Sequence, residues 1–168
     1  QRRITDVLVE GNTLSGSTER SGLIVAMGDE GGLGNAITQV RIRGNTFTGN
    51  NHAGIVIGSL VSGVVIENNR FVRNGRQGVT IADDATIRTV AITGNLFDQT
   101  PNTSCRSNCD WYPVAHVQVG AKASGVTLRA NREGFNRIYL RPRRLVDVTE
   151  ADTGVELISV ATDVSIEA

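Results

Sequence analysis

The chain has 168 residues, which is enough for one domain with a sizeable core. Its 17 basic and 17 acidic residues balance, so no global field points to nucleic acid or to a membrane surface. Glycine is frequent at 19 residues, aromatic residues make up 4%, and no apolar run approaches the ~20 residues of a membrane span.

An asparagine-containing pattern recurs five times along the chain, at 7–14, 40–47, 64–71, 90–97 and 126–133. Apolar residues stand five and three places before each asparagine, and this alternation predicts a strand with one buried face. A turn follows, and inward asparagines stacked from turn to turn would satisfy buried backbone groups. The predicted ladder consists of Asn12, Asn45, Asn69, Asn95 and Asn131.

The residue before each asparagine predicts a sharp bend in the backbone. These residues are Gly11, Gly44, Asn68, Gly94 and Ala130. Glycine and asparagine tolerate positive φ, so we expect the same bend in the first four turns. Ala130 and the later Glu133 depart from the pattern, and we expect the fifth turn to be irregular.

A second strand pattern lies between the asparagine segments, with apolar residues at its second and fourth places. It occurs at 22–25, 54–57, 78–81, 116–119, 137–140 and 154–157. Together the two repeats predict an all-β, right-handed parallel β-helix, a solenoid of about five coils and three short sheets. Residues 1–168 form one β-helix domain in this interpretation, with 98–114 a long loop inserted between coils.

The asparagine ladder and the Gly-Ile-x-Ile strand resemble the pectate-lyase-like right-handed parallel β-helix superfamily. The resemblance covers residues 7–140 well, and it implies an extracellular protein that binds or modifies a polysaccharide. The Asp-Pro-His-Glu motif of alginate epimerases is absent, as is the hydrolase series apart from Asp83-Asp84. Whether the chain is an enzyme therefore stays open. If it is active, a polysaccharide lyase, an epimerase or a glycoside hydrolase is expected.

In this family the substrate groove usually follows the outer face of the second-repeat strands. The predicted outward column is Ile24, Val56, Thr80, Gln118, Tyr139 and Glu156. One predicted flank is Gly22, Gly54, Gly78, His116, Arg137 and Gly154, and the other includes Ala82, Gly120 and Arg141. The first three coils present small or apolar groups there, whereas the later coils present polar ones.

We therefore expect a sugar chain to bind over the later coils. An aromatic ring can stack on a sugar while polar side chains meet its hydroxyls. The predicted substrate-binding residues are Trp111, Tyr112, His116, Gln118, Arg137, Tyr139, Arg141 and Glu156. The weak catalytic candidates are His116, Tyr139 and Arg137.

Arginines in the 129–144 stretch could pair with the carboxylates of an acidic polymer, although a solvated basic face is an equal alternative. No metal site is expected, with Asp83 and Asp84 as weak candidates should calcium bind, and no other cofactor is implied. The competing functional hypothesis is a structural or adhesive segment of a bacterial or phage tailspike or surface protein. Expected partners are a polysaccharide and either the rest of a longer chain or further copies that cover the solenoid ends, but neither nucleic acid nor membrane.

Cys105 and Cys109 stand in Cys-Arg-Ser-Asn-Cys, and we predict that they form a disulfide within the 98–114 loop. A disulfide favours an oxidising, extracellular compartment, whereas two free thiols are the alternative. Intact-mass spectrometry with and without reduction of natively produced protein should show one bond. Reduction should lower the free energy of unfolding only modestly, because the ring closes few residues. Two alkylatable thiols in the unreduced protein would refute the bond.

Overall fold

A computed structural model describes residues 2–28, 35–98, 116–133, 138–139, 142–144, 155–157 and 164–167, with the backbone alone beyond residue 132. Regular structure in these ranges consists of eighteen β-strands in three six-stranded sheets. None of the described residues belongs to a helix that could cross a membrane.

Each full coil contributes one strand to each sheet. Sheet A contains β1 (Arg3–Glu10), β4 (Ala36–Arg43), β7 (Val61–Glu67), β10 (Arg88–Thr93), β13 (Ser124–Arg129) and β18 (Val164–Glu167). Sheet B contains β2 (Thr13–Ser15), β5 (Thr46–Thr48), β8 (Arg70–Val72), β11 (Leu96–Asp98), β14 (Arg132–Glu133) and β15 (Ile138–Tyr139). Sheet C contains β3 (Leu23–Val25), β6 (Ile55–Ile57), β9 (Val79–Ile81), β12 (Val117–Val119), β16 (Pro142–Arg144) and β17 (Val155–Leu157).

Strands of one sheet pair in parallel with the equivalent strand one coil further along the chain. Val7 lies opposite Val40, and Val40 lies opposite Val64, so the asparagine repeats are in register. The second repeats align in the same way, with Ile55 opposite Val79 and Val79 opposite Val117. The predicted β-helix of three sheets is therefore confirmed.

The asparagine ladder runs through the turns between sheets A and B. Asn45 Nδ2 donates to Asn69 Oδ1 at 3.1 Å, and Asn69 Nδ2 donates to Asn95 Oδ1 at 3.0 Å. The Asn69 amide also donates to the Ile42 carbonyl of the preceding coil at 2.9 Å. Asn45, Asn69 and Asn95 are almost fully buried, so these bonds satisfy groups that water cannot reach. The predicted ladder is confirmed.

An aromatic stack lies beside the ladder inside the coil. The rings of Phe47 and Phe71 have centroids 5.2 Å apart, and those of Phe71 and Phe97 are 4.8 Å apart. Leu14 occupies the equivalent place in the first coil and is half-buried. Valine and isoleucine from all three sheets fill the rest of the core. Phenylalanines at one register position thus pack as a continuous column.

The fifth turn repeats the geometry of the others, so the expected irregularity was wrong. Ala130 has a φ of 52°, close to the 61° of Gly44 and the 54° of Asn68. Asn131 Oδ1 accepts from Asn95 Nδ2 at 3.0 Å. The ladder therefore outweighs the ~1–2 kcal/mol that an alanine loses in the left-handed conformation.

The strand Ile138–Tyr139 does not occupy the sheet C position predicted for it. It pairs antiparallel with Arg132–Glu133 in sheet B, and Val117 of sheet C instead lies opposite Val155. Only four residues separate the two strands. A connection of this length joins antiparallel strands in a hairpin, because a parallel crossover needs about a dozen residues or more. Sequence alternation alone could not distinguish this hairpin from another parallel coil.

Replacing Asn69 by leucine should lower the free energy of unfolding by about 1–3 kcal/mol, because buried turn groups lose their partners. Asn12→Leu is the matched control, since Asn12 lies at the exposed end of the same ladder. Chemical denaturation should show a clearly smaller loss for Asn12→Leu. Equal losses in the two variants would contradict a stabilising role for the buried ladder.

Candidate functional site

Every described strand of sheet A from the first five coils is bent at the same register position. The residues at the bend have φ between 57° and 65°. They are Asp6, Gln39, Gly63, Thr89 and Gly125. The flanking residues pair across the sheet while the bend residue does not, as with Thr38 opposite Ser62 and Val40 opposite Val64. A left-handed conformation is costly for glutamine and especially for β-branched threonine, so the stack imposes this bend.

The bend places two adjacent residues of each strand on the outer face. In the second coil Ile37 and Val40 are buried, whereas Thr38 and Gln39 between them lie toward solvent. The equivalent pairs are Thr5 and Asp6, Ser62 and Gly63, Arg88 and Thr89, and Ser124 and Gly125. Hydroxyl-bearing side chains thus recur along the helix axis at the ~4.8 Å spacing between strands.

An open groove of about 440 Å³ follows this bend over the first three coils. Its lining residues are Asp6, Val7, Leu8, Gln39, Val40, Arg41, Arg43, Gly63 and Val65. Leu8 is 54% exposed and gives the groove an apolar wall beside the hydrogen-bonding groups. Apolar surface with a few fixed polar groups is the usual composition of a small-molecule or sugar site.

The arginines of the groove pair with glutamates from neighbouring coils. Arg43 Nε lies 2.8 Å from Glu10 Oε1, and Arg41 Nε lies 3.6 Å from Glu67 Oε1. Glu10 lies directly opposite Arg43 across sheet A, whereas Glu67 lies opposite Arg43 and reaches Arg41 diagonally. The groove therefore has little excess positive charge.

The face predicted from sequence lies on sheet C, and His116 does not face outward on it. His116 is fully buried, and its ring lies 5.5 Å from that of Phe97. A side chain at the equivalent Gly78 would approach Phe97 Cδ1 to 2.5 Å, so this corner position points inward. Period-two alternation was extrapolated past the start of the strand, where the chain turns. A buried His116 is also poorly placed for the catalytic role considered for it.

The central column of sheet C has the predicted register up to the fourth coil. Ile24, Val56, Thr80 and Gln118 follow one another, with Ile24 51% exposed and Gln118 only 6% exposed. Glu156 is the next residue in this column, directly opposite Gln118, because Tyr139 lies in sheet B. The structure thus removes Tyr139 from the predicted row.

Trp111, Tyr112, Arg137 and Arg141 lie outside the described residues, as do Cys105, Cys109 and most of the 98–114 loop. The sugar-binding roles of the first four residues and the disulfide between the two cysteines stay predictions.

Asp83 and Asp84 are engaged in the turn that leads from sheet C to sheet A. Asp83 Oδ1 accepts from the Lys122 backbone N–H at 2.8 Å, and Asp84 Oδ1 accepts from the Thr86 backbone N–H at 2.7 Å. Hydrogen bonds from the Thr86 hydroxyl and backbone lower the pKa of Asp84. Among the described residues no three acidic, histidine or cysteine side chains are grouped as metal ligands. These contacts favour a turn over a calcium site.

Two structural columns escaped the sequence analysis. A second ladder joins Asn50 Nδ2 to Asn74 Oδ1 at 2.9 Å, and its signal was an asparagine five residues after Asn45 and Asn69. The bend column carried no such signal, because aspartate, glutamine, threonine and glycine share no common property.

One family model matches most of the chain. The family model for the right-handed β-helix region matches residues 2–132, which is most of the chain. The chain therefore belongs to the right-handed β-helix family.

A second model, for FMN-dependent dehydrogenases, matches residues 105–165, which is less than half of the chain. A flavin phosphate is commonly held at a helix N-terminus, whereas the described part of this segment consists of strands that pair with the β-helix sheets. The described residues of this segment therefore provide no helix N-terminus that could hold a flavin phosphate. Comparisons with curated proteins and with solved structures give no significant match.

A basic column lies at the corner between sheets B and C. The His52 backbone N–H donates to the Arg20 carbonyl, and the Arg76 N–H donates to the His52 carbonyl, each at 3.3 Å. Partial burial lowers the pKa of His52 below its ordinary 6.5, and the charges of Arg76 and Arg20 lower it further. Both effects disfavour the protonated imidazole.

Because the folded state disfavours protonation of His52, the unfolded chain binds that proton more readily. The His52 contribution to stability should be present above pH 6.5 and fall as the pH drops from there through the folded pKa. His52→Gln should remove this component, so the stability difference between parent and variant should change between pH 7.5 and 5. Urea denaturation at both pH values measures it. A pH-independent difference would contradict the pKa shift.

Proposed function

We propose that the chain is an extracellular β-helix that binds a polysaccharide in the groove over sheet A. The observation that carries the proposal is the repetition of outward-facing residues at the bend, one pair per coil, beside an exposed apolar wall. A polymer of sugars is itself a linear repeat, so it can meet several coils at once. Each sugar would place its C–H face on Leu8 or Val65 and its hydroxyls near Asp6 and Gln39.

The described residues favour polysaccharide binding without catalysis. Hydrolysis needs two carboxyl groups on either side of the scissile bond. Asp6 is the one carboxylate that lines the groove in the described part of the chain, since Glu10 and Glu67 hold the two arginines.

A structural role is the second proposal, and one observation favours it. Ile4 is 47% exposed although it lies opposite Ile37, which is buried in the core. The first coil therefore presents core residues and open strand edges that another coil could cover. That coil would come from the rest of a longer chain or from a second copy.

Two matched variants distinguish the groove on sheet A from the predicted face on sheet C. Leu8 and Ile24 lie in outward columns of the first coil and are 54% and 51% exposed. With a panel of neutral and acidic polysaccharides, Leu8→Ser should weaken binding about tenfold, the value of losing one buried leucine contact. Ile24→Ser should leave the dissociation constant unchanged. Calorimetry or affinity electrophoresis measures both.

Weakening by Ile24→Ser alone would show that the groove on sheet A is the wrong site. A parent protein that binds nothing on the panel would overturn the polysaccharide proposal and leave the structural role.

A further inference from the structure

The charges around the groove indicate which class of polysaccharide it accepts. Arg41 and Arg43 are the basic residues that line it, and each has a glutamate partner from a neighbouring coil. Asp6 is the remaining charged lining residue, and it forms no ion pair within the described ranges. The Thr5 hydroxyl donates to its Oδ2 at 2.9 Å, so its other oxygen can accept from a ligand.

A polymer with a carboxylate on every sugar would meet unfavourable charges in this groove. Glu10, Glu67 and Asp6 place three carboxylates around two guanidinium groups. Both ion pairs are substantially exposed and individually weak, so a polyanion could displace a glutamate from its arginine. The displaced carboxylate would nevertheless stay beside the polymer and repel it, which removes most of the gain.

We infer that the groove selects an uncharged polysaccharide, with the Asp6 carboxylate and the Gln39 amide hydrogen-bonding to sugar hydroxyls. The inference rests on the proposed function and specifies its substrate class. Asp6 and Gln39 occupy the same bend position in adjacent coils, so their polar groups follow the helix axis at the strand spacing of ~4.8 Å. A carboxylate accepts from hydroxyls but cannot bind a uronate carboxylate, and this asymmetry gives the discrimination.

The test compares neutral polymers (glucan, mannan and galactan) with polyuronates (alginate and polygalacturonate) on the intact chain. The parent should bind at least one neutral polymer and bind the polyuronates about tenfold or more weakly, the effect of one unfavourable charge contact. Asp6→Asn should weaken neutral binding by about tenfold, because a sugar hydroxyl loses its hydrogen bond to a charged acceptor. Thermal unfolding by circular dichroism checks that each variant is folded.

The double variant Glu10→Gln, Glu67→Gln releases both groove arginines and should strengthen polyuronate binding by about tenfold. Asp98→Asn is its control, because Asp98 pairs with Arg70 at 3.6 Å on sheet B, away from the groove. That control should leave polyuronate binding unchanged.

A parent that binds polyuronates as tightly as neutral polymers, with Leu8→Ser weakening both about tenfold, would overturn the neutral selectivity and keep the polysaccharide function. Equal gains from the double variant and from Asp98→Asn would also overturn it, since charge alone would then explain the effect. A parent that binds neither class would overturn the inference together with the proposed function.

Discussion

The inward asparagine in each turn is the interaction on which the rest of the structure depends. Its amide bonds the turn backbone and the next asparagine, so one side chain per coil aligns two coils and satisfies buried groups of the turn. Since each sheet is parallel and in register, aligning the turns also aligns every outward column. The pairing of Glu10 with Arg43, and the row of residues at the bend, therefore follow from the ladder as much as the core does.

The bend in sheet A connects this stacking to the outer surface. An extra residue between two inward-facing ones interrupts the alternation, so two adjacent residues face outward in each of the first five coils. Gln39 and Thr89 adopt a left-handed conformation there that their side chains disfavour, and the neighbouring coils hold it in place. The floor of the groove is consequently formed by the repeated strands of sheet A and not by a long loop.

Sequence reasoning succeeded where residue type reports burial directly. A buried asparagine between valine or isoleucine strands has few other structural explanations, and the ladder could be predicted from it. His116 was misplaced because strand alternation was extended across a corner, and Tyr139 because a hairpin and a parallel coil share one pattern. The groove over sheet A was missed for a different reason. Its floor depends on a left-handed backbone conformation, which the residue types of Asp6, Gln39 and Thr89 do not predict. The face that was expected instead came from the family resemblance.

Hydroxyl-radical footprinting in the presence of a bound polysaccharide tests the central claim most directly, because leucine and isoleucine side chains are both oxidised and mapped by mass spectrometry. Leu8 and Ile24 provide an internal comparison, being 54% and 51% exposed in the same coil on different sheets. The groove predicts that a saturating polymer lowers the oxidation rate of Leu8 and leaves that of Ile24 unchanged. Protection of Ile24 without protection of Leu8 would contradict it and return the binding face to sheet C.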